Sequence, residues 1–116
     1  MKQLKISSPG TTLIATLADN PTARDFLSLL PLKLTLKDYN GTEKISDLPG
    51  KLTTKDAASG YQPSKGDITF YAPWGNLAIF YKDFSYSAGL IFLGNITNGL
   101  NQLEGTAPIT VTIEQF

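Results

Sequence analysis

Apolar and polar residues alternate along much of the chain with the two-residue period of half-buried strands. Leu4 and Ile6 alternate with Gln3, Lys5 and Ser7, and Pro9-Gly10 punctuates the segment. Leu13, Ala15 and Leu17 then share one face of the Thr-rich stretch Thr11 to Leu17. This pattern predicts two strands joined by a Pro-Gly turn. One segment departs from that period. Asn20 is a good N-cap, Pro21 fits the first helical position, and Ala23, Phe26, Leu27 and Leu30 recur at helical spacing. Pro31 ends the pattern, so a helix is predicted over about 21–30, with Thr22, Arg24, Asp25 and Ser28 on its outer face. Asp19 and Asp25 flank its start, where a carboxylate favours the helix dipole.

Alternation then resumes. Leu32, Leu34 and Leu36 interleave with Lys33, Thr35 and Lys37, and Asp38-Tyr39-Asn40-Gly41 supplies a hairpin turn in which Asn and Gly tolerate positive φ. Glu43 to Leu48 returns as a short strand, and residues 49–66 read as a long surface excursion rich in Lys, Thr, Ser, Gly and Pro. Four more apolar or β-branched runs follow: Ile68 to Ala72, Leu77 to Lys82, Gly89 to Gly94 and Ile109 to Glu114. A helical turn is predicted at about 98–103. Eight short antiparallel strands with one clear helix favour a mainly β, closed eight-stranded barrel, because closure removes the exposed edges along which sheets aggregate. No linker or repeat divides residues 1–116, which read as a single domain.

Composition narrows the chemistry. Ten Lys plus Arg balance ten Asp plus Glu in a 116-residue chain, which argues against a nucleic-acid binder driven by phosphate neutralisation. The sequence contains no Cys and no His, so disulfides, thiolate metal sites and every Ser-His or Cys-His catalytic arrangement are excluded. Neither a signal-peptide run after MKQLKISS nor a membrane-length apolar stretch is present. The chain is therefore expected to be soluble, cytoplasmic and monomeric, without nucleic-acid or membrane partners, unless the natural protein carries a leader before it. Gly94, Gly99 and Gly105 form no phosphate-binding fingerprint, and no cofactor is expected. Asp38, Glu43 and Asp47 lack the spacing of a cation loop, so no metal is expected either. Asp67 reads as a turn residue bonded to local backbone, and Lys33, Lys37, Lys44 and Lys82 read as solvated strand faces.

The stretch from Gly66 to Asp83 holds the only Trp and a concentration of Phe and Tyr. Ile68, Phe70 and Ala72 fall on one strand face, with Thr69 and Tyr71 on the other. Leu77, Ile79 and Tyr81 share a face, with Ala78, Phe80 and Lys82 opposite. Both faces are thus more apolar than a barrel interior alone requires. Either the outer face lies under the helix or the long loop, or Tyr71, Trp74, Asn76, Tyr81 and Tyr86 cluster into a partly open aromatic pocket. Tyr and Trp suit such a pocket because each joins a large apolar body to one polar handle.

The blocks Asp19-Asn20-Pro21-Thr22-Ala23-Arg24-Asp25-Phe26, Leu29-Leu30-Pro31-Leu32, Gly66-Asp67, Ala72-Pro73-Trp74-Gly75-Asn76-Leu77 and Phe80-Tyr81 resemble the bacterial cyclophilin-like family of small, mostly uncharacterised proteins. The resemblance runs over nearly the whole chain and implies a compact eight-stranded barrel, similar to cyclophilin but shorter. Because relatives occur joined to flavodoxin-like domains, it also implies a flavodoxin-like partner. Prolyl isomerases of that fold use an Arg within a Phe-His-Arg block on a barrel strand. This chain has no such block, and its one arginine, Arg24, lies in the helix block. The expectation is a non-catalytic module that binds a small molecule or an extended peptide; the alternative is a divergent peptidyl-prolyl cis-trans isomerase.

Overall fold

In the computed structural model, which describes residues 2–116, the alternating segments are strands. They are β1 (Lys2–Ser8), β2 (Thr11–Leu17), β3 (Leu32–Tyr39), β4 (Glu43–Asp47), β5 (Gly60–Tyr61), β6 (Asp67–Tyr71), β7 (Asn76–Phe80), β8 (Ser87–Ala88), β9 (Leu90–Asn98) and β10 (Ile109–Gln115). Eight of them close into a barrel in the order β1-β10-β3-β4-β7-β6-β9-β2. Every neighbouring pair is antiparallel. The expected architecture is present. β5 and β8 form a separate two-stranded ribbon, which joins the long excursion to the segment after β7 and was not expected from the sequence.

Burial follows the two-residue period. Leu4 and Ile6, Leu13 and Leu17, Leu34 and Leu36, Ile68 and Phe70, Leu77 and Ile79, and Val111 and Ile113 all point into one core. At the β3–β4 hairpin, Asn40 (φ 55°) and Gly41 (φ 66°) both adopt the left-handed conformation that the turn demands.

The helix α1 (Pro21–Leu27) is shorter than the predicted 21–30. Asn20 caps it by accepting the Ala23 backbone N–H at 2.7 Å. Pro31 has no N–H to donate to the Leu27 carbonyl four residues back, so its influence reaches to Leu27. The chain then tightens into turns in which Leu29 and Leu30 donate to the Phe26 and Leu27 carbonyls. α1 links β2 to β3, and its Phe26 and Ala23 join the barrel core. Thr22, expected on the outer face, is buried, and its hydroxyl donates to the Thr53 carbonyl at 2.7 Å. The predicted turn at 98–103 is a short 3-10 turn over Leu100–Leu103, because β9 runs on to Asn98.

Lys44 corrects another expectation. It is 1% exposed, because it pairs across the sheet with the core residue Ile79 and with Asp38. Its stem lies inside the barrel, and its ammonium donates to the Gly105 carbonyl and stands 3.5 Å from the Asp38 carboxylate. Asp38 also accepts from the Tyr81 hydroxyl and from the Gly41 N–H. These bonds, the Tyr81 bond foremost, hold its carboxyl below the usual carboxylate range. Lys33, Lys37 and Lys82 are exposed as expected.

Candidate functional site

The sheet formed by β4, β7, β6 and β9 carries a second apolar layer on its outer face. Cross-strand register sets the rows that build it. One row runs Tyr39, Glu43 and Phe80; the next, Ile45, Ala78 and Thr69; the third, Asn76, Tyr71 and Leu90. Ala78, Phe80 and Leu90 are buried in a cluster of their own, with Ile45, Tyr61 and Tyr71 packed against it. Every residue of β7 is therefore buried, whichever face it occupies.

Part of this outer layer is roofed by the chain and part is open. Phe84 stacks on Phe80 with ring centroids 6.1 Å apart, and Tyr61 packs against Phe92 at 5.4 Å. The covering comes from the ribbon and the segment before β8, and no residue of α1 belongs to the Ala78, Phe80 and Leu90 cluster. Trp74, in the turn between β6 and β7, meets Tyr71 at 5.3 Å and 78° and Tyr39 at 5.6 Å and 86°. Such edge-to-face contacts are a preferred geometry of aromatic pairs. They hold Trp74 across the groove although it is 56% exposed. Beneath lies a cavity of about 230 Å³ walled by Tyr39, Tyr71, Trp74, Phe80 and Phe84, with Glu43, Ile45, Asn76 and Leu90 also facing it.

Two polar groups distinguish this cavity from a packing defect. Asn76 is 3% exposed, and its Oδ1 is the one buried side-chain polar atom without a hydrogen-bond partner among the described residues. A buried acceptor left unpaired costs on the order of 1–3 kcal/mol, so native proteins seldom retain one. Glu43 is half-buried, and its carboxyl is pushed up to about 7, first by burial and then by the Asp38 carboxylate, against the opposing Thr42 hydroxyl.

Of the five residues expected to cluster, Tyr71, Trp74 and Asn76 line the cavity and Tyr81 and Tyr86 do not. Tyr81 is 5% exposed and points inward, where its hydroxyl bonds Asp38 under the Lys44 ammonium. Burial and Asp38 push that phenol up to about 12. Tyr86 is exposed beside the ribbon, its hydroxyl 3.1 Å from that of Ser59. Tyr39, Glu43 and Phe84 line the cavity beside the other three, and none of them was expected in the site. Asp67 behaves as expected, accepting from the Ser64 N–H at 2.8 Å, and gains the Tyr61 hydroxyl at 2.7 Å. Arg24 lies on α1, paired with Asp19 and away from the groove.

Comparison with known proteins bears on this architecture. The model of the cyclophilin-like family matches residues 6–114. No curated protein matches the chain. The solution structure of a hypothetical protein from Archaeoglobus fulgidus is similar, with a TM-score of 0.67 at 17% identity. That similarity covers 99% of this chain and 95% of the archaeal one, and speaks to the fold alone.

Proposed function

The chain belongs to the cyclophilin-like family, and on that premise we propose that it is a non-catalytic binding module whose outer-face groove receives a small molecule or one side chain of an extended peptide. The observation that carries this reading is the unpaired Asn76 Oδ1 at a cavity walled by five aromatic rings. An apolar pocket with a few converging polar groups is the usual form of a ligand site. At about 230 Å³ the cavity is smaller than the roughly 300–1,000 Å³ of drug-sized sites. A head group or a single side chain suits it better than a large ligand.

Backbone amide shifts recorded against a panel of small aromatic and aliphatic fragments test this. The expected shifts centre on Tyr39 to Ile45, Tyr71 to Asn76 and the Trp74 indole. Shifts spread evenly over the barrel, or absent from those residues, would remove the proposal.

The competing reading is a divergent prolyl isomerase. Acceleration needs a donor fixed beside the prolyl amide within a desolvating pocket. The only guanidinium, on Arg24, is ion-paired with Asp19 on the helix. Exchange spectroscopy on an Ala-Pro peptide is therefore expected to give the same cis/trans rate with and without the protein, tens to hundreds of seconds. A clear enhancement that disappears in Arg24→Ala would favour the isomerase instead.

A further inference from the structure

We propose that the occupant the groove is built for is a compact organic cation, an alkylated ammonium group, seated against Tyr39, Tyr71 and Trp74 with the Glu43 carboxylate as its counter-charge. This deepens the binding-module reading and rests on it.

Three observations converge. The Trp74 ring stands nearly perpendicular to the rings of both Tyr39 and Tyr71, so the three rings do not form a flat stack. Aromatic faces carry the negative end of a quadrupole, and rings set at steep angles attract a cation from more than one direction. Glu43 opens onto the same cavity. Among the described residues no cation pairs with it. Lys44 is directed inward to Asp38, Lys5 pairs with Glu114, and Arg24 pairs with Asp19. A carboxylate drawn into an apolar groove without a counter-ion is costly unless something brings one. Finally, the cavity of about 230 Å³ is of head-group size.

Charge selects among occupants here. A neutral aromatic would fill the volume and leave Glu43 desolvated and unpaired. An anion would meet Glu43 directly, with Asp38 adding to the repulsion. A cation satisfies the carboxylate and the ring faces together. The titratable and charged groups on the elements packed against Glu43 are Lys33, Lys37, Asp38 and Tyr39 on β3, Lys44 and Asp47 on β4, Asp67 and Tyr71 on β6, and Tyr81 and Lys82 just past β7. Of the cations, Lys37 shares the outer face through its pairing with Ile45, and neither it nor Lys82 forms an ion pair with Glu43 among the described residues. Asp38 is held low and Tyr81 is pushed up to about 12, so neither changes charge near neutrality. Glu43, pushed up to about 7, does. Cation binding should therefore strengthen as the pH rises through about 7.

Trp74 is the only tryptophan and lines the cavity, so its fluorescence reports occupancy. The experiment titrates the protein at constant ionic strength with tetramethylammonium, with neutral neopentyl alcohol and with trimethylacetate. It does so at about pH 8 and about pH 5.5, in the native sequence and in Glu43→Gln. The expected result at about pH 8 is saturable binding of tetramethylammonium, about tenfold tighter than the neutral compound. That preference should fall to near parity in Glu43→Gln and at the lower pH, and the anion should bind weakest. The pH comparison needs no variant, so a misfolded Glu43→Gln would not blunt the test. If the alcohol binds as tightly as the cation at both pH values, the cation proposal is wrong while the groove remains a binding site. If the cation does not saturate at either pH, the proposal is overturned, and fragment mapping then decides separately whether the groove binds anything.

Discussion

Replacing Gly94 with alanine is expected to lower the stability of the barrel by about 3 kcal/mol. Gly94 sits on β9 where that strand meets both its neighbours, opposite Ile68 of β6 and Leu17 of β2. A Cβ at this position would fall 2.2 Å from the Thr16 carbonyl oxygen and 3.0 Å from the Leu17 Cα. Both atoms are backbone, and β2 is held on its far side by seven pairings with β1. No side chain can swing away to make room, so the β2–β9 seam must part. Closure of the barrel depends on that seam. Urea denaturation of Gly94→Ala measures the effect, with Gly50→Ala as control, since a Cβ at Gly50 meets nothing within 4 Å. The control should stay within about 0.5 kcal/mol of the native protein. An unchanged midpoint for Gly94→Ala would mean that the seam is not packed as described.

Phe70→Ala is expected to cost about 3–5 kcal/mol, the range for truncating a buried aromatic ring. Phe70 is 1% exposed and pairs across the sheet with Leu77 and Ile91. The loss is a large share of the roughly 5–15 kcal/mol that stabilises a typical domain. The thermal midpoint should fall by on the order of 10–20 °C. Trp74→Ala provides the contrast. Trp74 is 56% exposed and outside both buried clusters, so its removal should change the midpoint by only a few degrees. It should nevertheless abolish occupancy of the groove, since Tyr39 and Tyr71 both pack against it. Thermal melts of the two variants side by side would separate what holds the barrel from what shapes the site. A silent Phe70→Ala would place the wrong face of β6 inward.

Much of the barrel is readable because its strands announce themselves locally. Leu13, Ala15 and Leu17, or Leu34 and Leu36, need only a two-residue period to be assigned inward. The site is less readable because its residues meet across distant strands. Tyr39 and Glu43 belong to one hairpin, and they reach Phe80 and Trp74 only because β4 pairs with β7. No local pattern reports a pairing between segments separated by two further strands. Tyr81 shows a different limit of local pattern. It shares a face with Leu77 and Ile79, and two apolar faces leave open which one is inward until the barrel closes; in the structure that face points in, and the Tyr81 hydroxyl meets Asp38. Lys44 presents the opposite case. Its charge suggested solvent, whereas its register with Ile79 sends the aliphatic stem inside, to an ammonium site built from Asp38 and the Gly105 carbonyl. Tyr86 sits in a segment with no period, and its position follows from the ribbon of β5 and β8.

Whether the outer-face groove is a binding site depends on what occupies it. A crystal structure of the protein soaked with a small-fragment library examines this most directly. The prediction is that bound fragments gather between Tyr39, Tyr71 and Trp74, with a polar atom within hydrogen-bond reach of the Asn76 amide or the Glu43 carboxyl. Fragments that leave this groove empty and collect instead in the smaller cavity beside Tyr61 and Phe92 would contradict it.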